Sequence, residues 1–307
     1  MNDKATAADP TSRPGTVLVT GGTGNTGSLI GSRLAALGHQ VRAGSRRPAP
    51  QDERGSLTSP VRFDWHDDTT HATALGGARL LYLVAPDAEP GPERLMVPFL
   101  RRAREEGVRR VVLLSSSGIA EGGDGLGAVH RSVRELFPEW AVLRPSWFMQ
   151  NFVGDQPHAV SIREHDEIVT ATADGRVGFV DAADIAEVGV RALADDRPHN
   201  TAHLITGPEA LTCSEVAATV STHAGRPVRH RAVAADAMIE RLARFGIPEA
   251  YAGLLAGLDQ AIAAGSESRT SPVVEQVTGR PPRSFADFAA AHAATWQRPA
   301  EGTQEAS

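Results

Sequence analysis

The first hydrophobic pattern in the chain is a short apolar run that leads directly into a glycine-rich segment. Residues 17–19 form the run, and apolar residues recur through 29–37 at the spacing of one helix face. The pattern predicts a β-strand, a tight turn and an α-helix. Similar apolar runs predict further strands at 40–45, 61–65, 78–84, 108–114 and 140–143.

Amphipathic helical segments separate these predicted strands. Residues 93–106 are the longest example before the sixth strand. Regular alternation of strand and helix indicates an α/β fold of the Rossmann type, a doubly wound parallel sheet with helices on both faces. We expect six or seven strands in the order 3-2-1-4-5-6, with ligands bound beyond the carboxyl ends of the strands.

Three glycines punctuate the turn after the first strand with the spacing G-x-x-G-x-x-G. Gly21 would let the strand turn sharply, Gly24 would let a pyrophosphate approach the backbone, and Gly27 would let the helix pack closely. The phosphate charge would rest on the helix N-terminus. A plain glycine-rich turn is the alternative, but the strand–turn–helix context favours a dinucleotide site.

The second predicted strand ends in Ser45, Arg46 and Arg47. NAD-specific folds hold an acidic residue roughly 20 residues past the glycines, where it binds the ribose hydroxyls. A guanidinium at this point would pair instead with a 2′-phosphate, so the pattern favours NADP over NAD, although a solvated basic loop is the alternative. Asp64 ends the third strand, where it would meet the adenine amino group or serve as a cap or turn residue.

The predicted cofactor site gathers the turns and strand ends at one edge of the sheet. Ala85 and Pro86 follow the fourth strand, as a loop covering the nicotinamide would. The full set of expected cofactor contacts is Gly21, Thr23, Gly24, Asn25, Thr26, Gly27, Ser45, Arg46, Asp64, Trp65, Val84, Ala85, Pro86 and Ser115.

A second candidate site follows the sixth strand. Residues 146–152 read SWFMQNF, and aromatic side chains with amide groups after a sheet strand predict an apolar pocket with polar handles. Ordinary core packing is the alternative for Phe148 and Phe152. The expected substrate contacts are Trp147, Phe148 and Asn151, with Tyr251 and Leu254 from a late helix.

These two sites suggest the domain organisation. We expect an NADP-binding Rossmann domain over 15–150 and a smaller, mostly helical α/β substrate lobe over 151–297. The stretches 1–14 and 298–307 are expected to be disordered tails.

Composition narrows the class of protein. The 307 residues are 41% hydrophobic and 22% charged, with a net charge of −6, so neither a nucleic acid nor a membrane is an expected partner. The single cysteine, Cys213, excludes an internal disulfide, and His66 and His71 lack helical metal-ligand spacing, so no metal is expected. Residues 1–14 lack the apolar core of a signal peptide, and a cytoplasmic monomer or homodimer is expected.

Several segments together resemble the NmrA-like branch of the atypical short-chain dehydrogenase/reductase superfamily. They are VTGGTGNTG (19–27), RLAALGHQVRAGSRRP (33–48), RVVLLSSSG (110–118), VLRPSWFMQNF (142–152), FVDAADIAEV (179–188) and TGRPPRSFADFAAAH (278–292). The segments FDWHD (63–67) and LRPSWFMQNF (143–152) look most like reductases of ergot-alkaloid assembly and their bacterial relatives, which reduce an imine or iminium with NADPH. The branch also contains quinone, dye and isoflavone-type reductases, and NADP-sensing regulators without turnover.

The chain departs from the wider superfamily in its proton donor, which is usually a Tyr-x-x-x-Lys pair beside a serine. Its only tyrosines are Tyr82 and Tyr251, and its only lysine is Lys4. His130 stands on the short helix where isoflavone-type relatives place a catalytic lysine. We expect His130 to donate a proton and Ser117 to hydrogen-bond a carbonyl. The alternatives are a surface histidine and a serine that caps a strand end.

Two functions of different class therefore stay open. One is a reductase that delivers hydride from NADPH to an apolar or aromatic unsaturated small molecule, such as an imine, enone or quinone, in natural-product biosynthesis. The other is a non-catalytic NADP-sensing regulatory protein. The pocket-like segment 146–152 favours the reductase.

Overall fold

The computed structural model describes residues 15–50 and 55–297, so the tails predicted at 1–14 and 298–307 lie outside the described residues. The strands are β1 Thr16–Val19, β2 Gln40–Ser45, β3 Thr58–Arg62, β4 Leu80–Leu83, β5 Arg110–Leu114, β6 Glu139–Pro145, β7 Glu167–Thr170, β8 Arg176–Val177, β9 Thr201–Ile205, β10 Leu211–Thr212 and β11 Arg229–Ala232.

The α-helices alternate with these strands as far as β6 and dominate the later part of the chain. They are α1 Gly27–Ala36, α2 Thr69–Leu75, α3 Glu93–Glu105, α4 Leu126–Leu136, α5 Pro157–His165, α6 Ala182–Ala194, α7 Cys213–Ala224, α8 Ala235–Arg244, α9 Glu249–Ala263, α10 Val273–Thr278 and α11 Phe285–His292. Short 3-10 segments cover Met149–Phe152 and Ala293–Trp296. No helix in the described ranges is both long enough and apolar enough to cross a membrane.

The main sheet confirms the predicted fold class. Its seven strands lie in the order β3-β2-β1-β4-β5-β6-β9 and run parallel. Strand β1 pairs with β2 on one side and β4 on the other, with Val17 opposite Val41 and Leu80. The chain therefore reverses its direction of winding at β1, and the carboxyl ends of β1 and β4 form a switch point.

The third strand lies earlier than the pattern predicted. The sequence indicated 61–65, whereas β3 covers Thr58–Arg62 and pairs only with β2. Pro60 interrupts the apolar pattern, but an edge strand tolerates a proline because one row of its N–H groups needs no partner. Phe63 then leaves the strand and is buried in the core.

The described chain divides into two compact units. The first unit comprises the described residues up to Pro145 together with Ala183–Leu204, and so includes most of α6 and β9. The predicted boundary after residue 150 did not anticipate this return of the chain to the sheet. The core of the first unit packs strand residues such as Leu18, Leu81 and Leu113 against α3.

The second unit comprises Ser146–Ala182 and the described residues from Ile205 onward. It contains two small sheets, an antiparallel pair β10-β8 and a parallel pair β11-β7. Its helices bury an aromatic core in which Phe152, Phe285 and Trp296 are almost fully covered. The indole N–H of Trp296 donates to the carbonyl of Phe152 at 2.7 Å, which closes the end of this core.

Candidate cofactor and substrate sites

The glycine-rich turn between β1 and α1 has the geometry of a narrow backbone cradle. Gly21 has φ +64°, a conformation that favours glycine. The N–H of Gly24 donates a hydrogen bond to the carbonyl of Gly21 at 2.9 Å. A Cβ added at Gly27 would collide with the same Gly21 carbonyl oxygen. The turn thus requires glycine at 21 and 27 for the two physical reasons that the spacing suggested.

Buried hydroxyl groups fix the position of this turn through hydrogen bonds. The Thr20 hydroxyl accepts a hydrogen bond from the N–H of Val84 at 2.8 Å, which ties the end of β1 to the end of β4. The Tyr82 phenol donates to the Thr26 hydroxyl at 3.0 Å, and both side chains are buried. The N-cap residue Thr26 makes no side-chain capping hydrogen bond, and the N–H of Ser28 donates to the carbonyl of Gly24 at 3.1 Å. The positive end of the α1 dipole lies at this turn and would attract an anion.

The end of β2 offers a hydroxyl and an exposed guanidinium. The Ser45 hydroxyl oxygen is buried and has no hydrogen-bond partner among the described residues. Arg46 is exposed and forms no ion pair or hydrogen bond with any residue in the described ranges. A buried hydroxyl without a partner is rare, and a ribose or phosphate oxygen would satisfy it.

The structure supports the turn interpretation of Asp64. Its Oδ1 accepts the backbone N–H of His66 at 3.0 Å, which closes a tight turn after β3. Trp65 packs edge-on against Phe63 and Phe99, with ring centroids 4.9 Å and 5.3 Å away. Asp64 and Trp65 therefore have structural roles here, and their contact with a cofactor stays a prediction.

The ends of β4 and β5 complete the candidate cofactor site. Val84, Ala85 and Pro86 are half-buried directly after β4. The Ser115 hydroxyl, directly after β5, is buried without a hydrogen-bond partner among the described residues. Because β1, β2, β4 and β5 are parallel neighbours, these residues lie at the same edge of the sheet. The glycine cradle and the two orphaned serine hydroxyls fit a dinucleotide.

Ser117 lies two residues after Ser115 in the segment that follows β5. It is buried, and its carbonyl accepts a hydrogen bond from the Arg144 guanidinium at 2.7 Å. Its N–H donates to the carbonyl of Pro145 at 2.9 Å, so its backbone continues the pairing of β5 with β6. The strand-end role is thus visible, and the catalytic role of Ser117 stays a prediction.

His130 is more enclosed than a surface histidine. It is 3% exposed on α4, and neither ring nitrogen has a hydrogen-bond partner among the described residues. Its Nε2 lies 3.9 Å from Glu121, whose other carboxylate oxygen accepts the Arg134 guanidinium at 2.7 Å. Burial lowers the pKa of His130, which favours the neutral ring. A neutral, buried imidazole is a weaker proton donor than the sequence pattern suggested.

The second unit contains a cavity of about 290 Å³, and three predicted substrate contacts line it: Trp147, Asn151 and Tyr251. Phe148 is not among the residues that line this cavity, and its backbone forms a parallel bridge with Val180. Leu254 points to solvent with 56% exposure, and its neighbour Leu255 lines the cavity instead.

Sequence reasoning missed four polar residues in the same cavity: Gln156, His158, Arg241 and Asp259. Burial lowers the pKa of His158 to about 4, so the ring is neutral near pH 7. Asp259 is 6% exposed on α9, where it follows Ala252 and Ala256 on the buried helix face. An acid in line with an apolar helix stripe is a sequence signal that would have singled out this position.

Comparison with known proteins agrees with this geometry. The NAD(P)H-binding family matches residues 21–196. An uncharacterized oxidoreductase of Bacillus subtilis is 46% identical over 91% of this chain and 96% of its own length. The agroclavine dehydrogenase of Claviceps fusiformis is 34% identical over 92% of this chain and 98% of its own.

Among solved structures, the NADPH-dependent quinone oxidoreductase of Escherichia coli, in complex with NADPH, has the same fold. It is 20% identical, the TM-score is 0.74, and the match covers 90% of this chain and 99% of that one. The family model and these relatives agree with the resemblance seen in the sequence: this chain belongs to the NAD(P)H-binding family, and its relatives are named as oxidoreductases and dehydrogenases.

Proposed function

We propose that this protein is an NADPH-dependent reductase that transfers hydride to an unsaturated small molecule in natural-product biosynthesis. The observation that carries the choice of acceptor is the hydrogen bond from Tyr82 to Thr26. It commits the one tyrosine of the first unit to the support of the cofactor turn. Because the sequence also contains no Tyr-x-x-x-Lys pair, the acceptor is one that needs no such pair to protonate it, namely an imine or iminium, an enone or a quinone.

The end of β2 supports NADPH as the preferred cofactor. Arg46 would pair with the 2′-phosphate and Ser45 would hydrogen-bond it, because a guanidinium and a hydroxyl both donate to phosphate oxygens. The cradle of Gly21, Gly24 and Gly27 would receive the pyrophosphate at the N-terminus of α1. When bound, the reduced nicotinamide supplies the hydride.

The class of acceptor follows from whether the acceptor must be protonated while it receives the hydride. A ketone needs a proton as hydride arrives, because an alkoxide is a poor product near pH 7. An iminium is already charged, and hydride addition neutralises it. An enone or a quinone takes its proton later, from water or a weak acid. A chain without a tyrosine–lysine pair suits these acceptors, and holding the acceptor in place can supply about 7–11 kcal/mol in favourable cases.

The cavity of the second unit supports an apolar or aromatic substrate. Its volume of about 290 Å³ suits a molecule of two or three rings, and Trp147 and Tyr251 offer flat apolar faces. Asn151 supplies an amide for orientation. The proposal retains a cytoplasmic location and a monomeric or homodimeric state.

Oxidation of NADPH with a matched panel of acceptors tests the proposal. The panel contains a cyclic iminium, an enone, a quinone and a saturated ketone of similar size. The proposal expects turnover with at least one of the first three and a much slower rate with the ketone. A protein that binds NADPH and NADP⁺ with equal affinity and turns over none of them is a sensor, and this outcome would refute the reductase.

A further inference from the structure

The cavity of the second unit contains a buried acidic group that has no ion-pair partner among the described residues. Asp259 projects from α9, is 6% exposed and lines the cavity. Its Oδ2 accepts the backbone N–H of Ala171 at 2.8 Å. Asp259 forms no ion pair with any residue in the described ranges. One carboxylate oxygen of Asp259 is thus held by a hydrogen bond, while the negative charge has no counter-ion among the described residues.

Arg241 is the cationic residue that lines the same cavity, and its guanidinium contacts residues other than Asp259. The guanidinium of Arg241 donates to the Ser161 hydroxyl at 2.8 Å and lies 3.9 Å from the carboxylate of Glu167. Its central carbon lies 5.5 Å from the centre of the Phe245 ring. Burial raises the pKa of Asp259. Arg241 and Asp259 form no ion pair within the described ranges.

The histidine of the cavity does not supply the missing charge. Burial lowers the pKa of His158 to about 4, so its ring is neutral near pH 7 and stacks on Phe152 with a centroid distance of 5.3 Å. A buried carboxylate without a counter-ion is unfavourable, and proteins pair such groups or neutralise them. The natural partner for Asp259 is a cation delivered by the ligand.

We propose that Asp259 is the counter-ion for a cationic nitrogen in the substrate, so the cavity selects iminium or protonated aromatic amines over neutral molecules of the same shape. The inference rests on the proposed function, since it assigns a substrate class to the same cavity. Two features support it besides the carboxylate. The faces of Trp147 and Tyr251 attract a cation through their ring electrons, and Asn151 adds an amide oxygen as acceptor.

Asp259→Asn tests the charge with little change in shape. The asparagine carbonyl can still accept the N–H of Ala171, so the anchor of the side chain is retained. Glu249→Gln is the matched control, because it removes one negative charge from an exposed position on the same helix. Trp147→Ala is a second comparison that reduces the apolar wall without a change in charge.

The measurement is the binding of two probes of equal shape, N-methylquinolinium and 1-methylnaphthalene, to the protein saturated with NADP⁺. We expect the cation to bind at least tenfold more tightly than the neutral probe. Asp259→Asn should weaken the cation about tenfold to hundredfold and change the neutral probe less than twofold. Glu249→Gln should change neither, and Trp147→Ala should weaken both, the cation more than the neutral probe because it also loses the attraction of the ring face.

Equal affinity of the wild-type protein for the two probes would overturn the inference, even if Asp259→Asn failed to fold. An equal loss for both probes in a folded Asp259→Asn variant would overturn it as well. The reductase is tested separately, because the probe experiment involves no hydride transfer. Turnover of neutral quinones with unselective binding would refute the role of Asp259 and leave the reductase standing.

Discussion

The phenol of Tyr82 lies 3.0 Å from the Thr26 hydroxyl, to which it donates a hydrogen bond beneath the cofactor turn. Burial raises the pKa of Tyr82 far above its ordinary value, so this hydroxyl keeps its proton. Tyr82 thus stabilises Thr26, the residue directly before α1.

Tyr82→Phe should therefore change cofactor binding rather than chemistry. Loss of one hydrogen bond of this kind is worth about 0.5–1.5 kcal/mol, which predicts an NADPH dissociation constant about twofold to tenfold higher. The kcat at saturating NADPH should stay within about threefold, since the phenol takes no part in proton transfer. Stopped-flow binding and steady-state kinetics measure both values. A large fall in kcat with normal NADPH binding would show that Tyr82 acts in the reaction.

Arg46→Glu should invert the cofactor preference. Loss of a charge-assisted contact with the 2′-phosphate costs roughly 1.5–3 kcal/mol, or about tenfold to hundredfold in NADPH affinity, and leaves NADH unchanged. Arg47→Glu makes the same charge change at the next exposed position and serves as the control. Isothermal titration with both cofactors measures the effect. Equal affinity of the unmodified protein for NADPH and NADH would contradict the assignment.

His130→Ala and Ser117→Ala should each reduce kcat less than tenfold at saturating NADPH. His130 is buried with a lowered pKa, so its neutral ring is poorly suited to deliver a proton. The melting temperature of each variant serves as the control for loss of packing. A thousandfold loss for His130→Ala, with NADPH binding and folding intact, would identify His130 as the general acid.

Stability should fall as the pH is lowered from about 6.5 toward 4. His203 is 8% exposed in β9, its Nε2 lies 2.8 Å from the Nδ1 of His199, and burial lowers its pKa to about 4. Between these pH values the unfolded chain binds the proton and the folded chain does not. The free energy of unfolding therefore decreases across this window, by up to ~3 kcal/mol for this one group.

Urea denaturation at a series of pH values measures this effect. His158, whose pKa is also lowered to about 4, adds a decrease in the same range, so His203→Gln should make the decline shallower without abolishing it. His66→Gln, at an exposed side chain, should keep the full decline. A His203→Gln profile identical to that of the parent protein would show that His203 does not titrate between the folded and unfolded states.

The main sheet could be predicted because its signals are local. Apolar runs, the glycine turn and the helix patterns lie within short stretches, and the strand order follows from the alternation of the elements. The prediction placed strand β3 too late in the chain, because the sequence pattern does not show that Pro60 lies in an edge strand. The burial of His130 also depends on packing between distant segments, which spacing does not report.

The substrate cavity was predictable only in part. Trp147 and Asn151 follow directly from the end of β6, so their position could be inferred from the sheet. Asp259 reaches the same cavity from α9, more than a hundred residues later in the chain. The apolar stripe of α9 marks the buried face that carries Asp259, but no short-range pattern specifies that this face meets Ala171.

Transfer of deuterium from NADPH labelled at C4 of the nicotinamide tests the central claim most directly. The protein is incubated with each labelled epimer of NADPH and a cyclic aromatic iminium, and the product is analysed by mass spectrometry. We predict that one epimer delivers one deuterium to the carbon of the former C=N bond, at a rate that depends on the protein. A product without deuterium from either epimer, or no product at all with any acceptor, would contradict the assignment of this protein as a hydride-transferring reductase.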